Sequence, residues 1–178
     1  MKISESYFKD LLFRTEAIDA VSKLDCYWCT HLDRGEPILL GLSEPERHVH
    51  LCLIYTGEVG NGGHSQFFLN RGGNYMERAL IALQAMGFSD LQGCLERACQ
   101  VFTNGTVPRD FEDVERAIDG FSDEQLNRLH SLDREVWSMR DIDERLLAYL
   151  RLHEDEILRL ERGLTDGSTT PSKCEDAL

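Results

Sequence analysis

The stretch Glu58-Val-Gly-Asn-Gly-Gly-His-Ser-Gln-Phe-Phe-Leu-Asn-Arg-Gly-Gly-Asn-Tyr75 decides how this chain folds. It sets five glycines and three asparagines around a Gln66-Phe67-Phe68 core, between two strongly helical segments. Asn61, Gly62 and Gly63 can take positive φ without the steric cost other residues incur. They therefore stop one helix and turn the backbone before Ser65 to Asn70 resume helical geometry. Gly72-Gly73 repeats the device.

Working outward, Ser43-Glu-Pro-Glu46 is a capping box with proline in the first turn. Val49, Cys52, Leu53 and Thr56 then follow at i, i+3, i+4 and i+7, so a helix leads into the glycine junction. After it, Met76, Ala79, Leu80, Leu83 and Met86 form an apolar stripe that Gly87 ends. Ser89-Asp-Leu-Gln92 starts a helix with Leu91, Cys94, Leu95, Ala98 and Phe102 on its apolar face, terminated by Asn104-Gly-Thr-Val-Pro108. Three more helices are expected: Asp110 to Asp119, Asp123 to about Met139 behind a capping box at Ser122, and Asp141 to about Arg162. Upstream, Ser4 and Thr15 read as helix starts, Gly35-Glu-Pro37 as a break, and Pro37 to Leu42 as an apolar connection that can be extended. The tail from Gly163 reads as disordered. With no convincing alternating strand, the expectation is an all-α, single compact multi-helix domain of about seven to eight helices. Residues 1–42 form an N-terminal extension packed on the core, 43–162 the helical domain, and 163–178 the tail.

The composition narrows the function. A chain of 178 residues with 42% hydrophobic content can bury the core of one domain. Cys26, Cys29, Cys52, Cys94, Cys99 and Cys174 lack a disulfide-scaffold rhythm, and Met1 to Arg14 mixes charges with apolar residues. We read reduced thiols, no signal peptide and a cytoplasmic protein. No apolar run approaches the ~20 residues a membrane span needs.

The net charge of −13 is unevenly placed. Residues 1–109 carry 13 acidic and 10 basic side chains, whereas residues 110–161 carry 16 and 7. Such a chain repels phosphate backbones, which argues against direct nucleic-acid binding and for a basic protein surface as partner.

The pattern Glu58, Asn61-Gly62-Gly63, Gln66-Phe67-Phe68 and Asn70 resembles that of a bacterial family of small acidic helical proteins whose best-understood type is a DNA mimic protein. The resemblance covers roughly Ser43 to Glu161, with His64 standing where the pattern usually has a large aromatic. It implies an all-helical acidic binding protein, a homodimer, and a helix-turn-helix transcriptional regulator as partner.

Three constellations are candidates for chemistry. Cys26-Tyr-Trp-Cys29 with His31 is the only metal-like spacing, but no second pair completes four zinc ligands. The simpler reading is a pair of small buried groups, so neither metal nor cofactor is expected. The polar group Glu58, Asn61, His64, Gln66 and Asn70 can line a pocket with His64 as general base and Glu58 orienting it. The favoured reading is structural, with these side chains satisfying helix-end backbone groups while Phe67 and Phe68 fill the core. The third is the acidic surface: Glu112, Asp113, Glu115 and Asp119 on one helix, Asp141, Asp143 and Glu144 at a helix start, and Glu154, Asp155 and Glu156 as a further patch.

The expected function is therefore non-enzymatic. Carboxylates imitating phosphates occupy the basic DNA-binding surface of a transcription regulator or, by the same means, of a nuclease toxin. The alternative is a small-molecule enzyme or sensor using a pocket around Glu58, His64 and Gln66.

Overall fold

The computed structural model describes residues 4–31 and 41–158, and it is all-α, a single compact domain with no strand among the described residues. The helices are α1 (Glu5–Arg14), α2 (Ala17–His31), α3 (Glu44–Ala85), α4 (Ser89–Cys99), α5 (Phe111–Asp119), α6 (Asp123–Ser138) and α7 (Ile142–Leu152), with a 3-10 turn at Thr103–Gly105.

Local sequence sets most of the helix starts. Ser4 caps α1 by accepting from Tyr7 N–H at 3.2 Å. Both capping boxes close as predicted, at Ser43/Glu46 and at Ser122/Gln125. α2 begins one residue later than the Thr15 reading allows: Glu16 C=O accepts the first helical bond from Ala20, while the Thr15 hydroxyl turns back to Asp10 C=O. The last predicted helix is shorter than expected. α7 ends at Leu152, His153 forms a turn, and residues 154–158 resume as a separate helical segment. The expected break and connection from Gly35 to Leu40, the expected helix beyond Leu158 and the tail from Gly163 lie outside the described residues.

α3 is one long element broken twice where the glycines predict. Gly62 and Gly63 leave helical geometry, with Gly63 at φ 78°, ψ −178°, and Gly72 does so at φ 60°, ψ −170°. Both positive-φ positions lie in a region essentially reserved for glycine. Close approach requires glycine there as well. A Cβ on Gly63 would lie 2.5 Å from Asp133 Oδ2, and one on Gly72 would lie 2.8 Å from the Arg109 carbonyl oxygen. At the second break, Gly73 N–H donates to Pro108 C=O at 3.1 Å, so the 107–109 strap replaces the lost helical partner.

These breaks fold α3 around an aromatic ladder. Tyr55, Phe67, Phe68, Phe102 and Phe121 contact in sequence with ring centroids 5.0–5.6 Å apart, mostly edge to face. The ladder runs from the first arm of α3 to the turn between α5 and α6. α4, α5 and α6 pack on α3, while α1 and α2 pack on α7 and bury Leu12, Leu24 and Trp28.

Candidate functional site

At the first glycine break the polar residues sort into two separate networks. Glu58 lies one turn before Asn61. Its Oε2 accepts from Gln66 Nε2 at 2.9 Å and Asn70 Nδ2 at 2.8 Å, and its Oε1 accepts from Arg71 Nε at 2.8 Å. Burial alone pushes this carboxyl up, but the three donors together outweigh it and hold it below the usual carboxylate range. Glu58 thus ties the two sides of the kink together.

His64 belongs to the other network, which departs from the pocket reading. Glu58 does not orient it. Its backbone N–H and its Nδ1 meet Asp133 Oδ1 from α6, at 2.8 and 2.6 Å, and its Nε2 meets the Tyr55 hydroxyl at 2.9 Å. The ring thus bridges the Asp133 carboxyl and the Tyr55 hydroxyl, which burial holds protonated. His64 is 0% exposed. The relay is fully enclosed, and its three members satisfy one another. Asn61 and Gly62 lie exposed on the kink, and Phe67 and Phe68 are fully buried in the ladder.

The sequence reading missed Tyr55 and Asp133. Tyr55 precedes the junction by three residues and Asp133 sits 69 residues beyond His64. Asp133 shares the buried face of α6 with Leu129, Leu132 and Val136, at i, i+3, i+4 and i+7, so its inward direction follows from the helical spacing although its partner does not. The glycine at 63 leaves room for that carboxylate.

The predicted acidic residues fall on three elements: α5, the start of α7, and the segment after α7, with the 16-residue α6 between the first two. At the start of α7, Asp143 is half-buried and its carboxyl is pushed up by burial and by Glu144, while Asp141 lies 3.9 Å from Arg145. Arg145 is itself held by Asp90 through two bonds of 2.7 and 2.8 Å. In the last patch, Glu154 pairs with Lys9 at 3.5 Å and Glu156 with His153 at 3.7 Å; Asp155 is exposed.

α5 differs. Glu112, Asp113, Glu115 and Asp119 are all exposed, and of the four only Asp113 makes an ion pair among the described residues, with Arg116 at 2.7 Å. α5 is anchored by the buried Val114 and by Phe121, so its charged face is fixed rather than draped. Asp110, just before α5, and Asp123 and Glu124, in the first turn of α6, are exposed as well. Phe111, 56% exposed, stands among them.

The metal-like spacing also resolves differently from its sequence pattern. Among the described residues, the donors that converge are Asp25 and Cys29 of α2 with His50 of α3, all within 4.8 Å of one another. Cys26 is exposed and is not in the group, and the side chain of His31 lies outside the described set. Burial pushes the thiols of Cys52 and Cys99 up to about 12, which leaves both inert. Among the described residues no helix is long and apolar enough to cross a membrane.

Neither the curated proteins nor the solved structures give a match. The resemblance drawn from the Asn61 to Asn70 pattern, to bacterial DNA mimic proteins over residues 43–161, is corrected by a family-model match to DMP19-like protein over residues 40–153. That match does not establish Asn-Gly-Gly-x-x-Gln-Phe-Phe as the family's mark. Its limits also leave α1 and α2 outside the shared region, and it ends at His153, where α7 gives way to a turn. Across well over half its length, this chain belongs to the DMP19-like protein family.

Proposed function

We propose that this protein is a non-enzymatic, cytoplasmic binding protein whose α5 surface imitates a run of DNA phosphates and occupies the basic face of a DNA-binding protein. The observation that carries the reading is the set of exposed carboxylates on α5 and at the start of α6, of which Glu112, Glu115, Asp119, Asp123 and Glu124 make no ion pair among the described residues. Glu112, Glu115 and Asp119 share one face over about 10 Å of helix axis, roughly 5 Å per charge, which is of the same order as the ~3.4 Å axial rise per phosphate of one DNA strand. A basic surface built to neutralise phosphates accepts such a row, with fast and salt-sensitive association. Phe111 adds an exposed aromatic of the kind enriched at interface cores. DMP19 is a DNA mimic family, which supports the same reading.

The proposed partner is a helix-turn-helix regulator or a nuclease toxin, and a homodimer would present two such rows. The test is capture of candidate regulators on immobilised protein, with release by a salt gradient and displacement by the regulator's own DNA. Glu112→Lys with Glu115→Lys is expected to abolish capture, whereas charge reversal at Asp141 and Glu144 leaves it largely intact. Capture that survives the α5 reversal overturns the proposal.

A further inference from the structure

We propose that Asp25, Cys29 and His50 form a binding site for one zinc-class divalent cation at the seam between α2 and α3. The inference is independent of the acidic surface. Asp25 and Cys29 stand one helical turn apart on α2, so their side chains share a face. His50, on the second turn of α3, faces them with Nδ1 2.9 Å from Asp25 Oδ1. All three donor atoms lie within 4.8 Å of one another. A tetrahedral zinc with bonds of about 2.0–2.3 Å holds its ligands roughly 3.3–3.8 Å apart. The 2.9 Å contact must therefore open slightly and the widest one close slightly, both within side-chain torsion.

The chemistry of the donors selects the ion. Thiolate and imidazole disfavour calcium and magnesium, which take oxygen ligands, and suit zinc and its neighbours. One thiolate, one carboxylate and a neutral imidazole balance a dication. On binding, the ion takes the place of the hydrogen shared between His50 Nδ1 and Asp25, the neutral imidazole then carrying its one hydrogen on Nε2, and the Cys29 thiol releases its proton to solvent as the sulfur–metal bond forms. Water completes the fourth position. The exposure of Cys29 provides the way in.

The surroundings hold the imidazole in place. His50 is 5% exposed, and the Trp28 ring stands edge-on to it with centroids 6.1 Å apart. The Trp28 indole donates to Glu46 Oε1 at 3.1 Å, and Glu46 is itself fixed by the Ser43 cap through bonds of 2.9 and 2.6 Å. The capping box of α3 thus sets the orientation of a ligand one turn further on, as outer-shell partners do in metal sites.

The test uses the full chain, stripped with chelator and titrated with Co(II). The expected result is one equivalent bound, with tetrahedral visible bands and a near-ultraviolet thiolate-to-cobalt charge-transfer band, both displaced by Zn(II). Cys29→Ser is expected to remove the charge-transfer band, His50→Gln to weaken Co(II) binding by about tenfold or more, and Cys26→Ser to change neither. Because Cys29 is exposed, Cys29→Ser is expected to keep the parent far-ultraviolet circular dichroism, so it decides the matter even if His50→Gln fails to fold. Absence of saturable Co(II) binding overturns the site. So does a charge-transfer band that survives Cys29→Ser or disappears with Cys26→Ser.

Discussion

Two regions of this molecule use the same residue type in opposite ways. Around the first break of α3, Asp133 and Glu58 are buried or nearly so, and every donor within reach is spent on them. On α5, Glu112, Glu115 and Asp119 stand in water without an ion-pair partner among the described residues. A buried carboxylate has no water to fall back on, so the fold must supply its partners and depends on them. An exposed one contributes little to the fold and remains free to meet a partner outside it. Net charge therefore says little about where function lies until it is divided into charge used by the fold and charge left over.

The strongest way to break this contrast is Asp133→Ala. It strips the His64 backbone N–H and ring of their acceptor in a closed interior, and denaturant unfolding is expected to show a loss of roughly 3–5 kcal/mol. A loss below about 1 kcal/mol would mean that the relay is ornamental. Next is Gly63→Ala, where positive φ and the Asp133 carboxylate both oppose a Cβ; a cost of about 3 kcal/mol is expected from the same measurement. Gly60→Ala is its control. That glycine is exposed and helical with nothing within 4 Å of an added Cβ, so it is expected to gain up to about 1 kcal/mol.

Acid sharpens the comparison. His48 is buried against Tyr149, 2.8 Å away, and its pKa is lowered first by that burial, with Arg47 and His153 adding to the effect against Glu44. The unfolded chain therefore takes up this proton more readily than the folded one. Stability is expected to be unaffected above the ordinary pKa of about 6.5 and to fall as pH drops below it, by at most about 1.4 kcal/mol per pH unit. His48→Gln should flatten that slope. Glu58, held below its usual range, contributes stability that is present above about pH 4.3 and is lost as pH falls further through its folded value. Two separate acid phases in a urea series, of which His48→Gln removes only the upper, are the expected pattern.

The smallest stability effect belongs to the surface. Glu112→Lys with Glu115→Lys is expected to shift unfolding by less than about 0.5 kcal/mol while removing the salt-sensitive capture described above. A large loss of stability would place those carboxylates with the buried set and undo the contrast.

Much of this architecture can be read from the chain. The two capping boxes, the glycine breaks and the apolar stripes are each local, and each appears where the residues call for it. Glu58, Gln66 and Asn70 are also close enough in sequence for their structural role to be anticipated. What lies beyond short range was not legible. The partner of His64 is 69 residues away, and among the described residues the donors that meet Cys29 are Asp25 one turn back and His50 on the next helix. The acidic patches were legible as composition but not as geometry, because the ion pairs of Arg145 and Lys9 decide which charges the fold takes up.

The sequence by itself determined that the chain is all-helical, where its long helix must break, and that its excess charge lies in the second half. Each of these follows from periodicity, capping and backbone freedom within a few residues. Only the tertiary structure decided that His64 is enclosed by Tyr55 and Asp133, that Glu112, Glu115 and Asp119 stand exposed without an ion pair among the described residues, and that Asp25, Cys29 and His50 converge. Those outcomes depend on which faces of distant helices meet, and burial, not residue type, then fixes whether a charge serves the fold or the solvent.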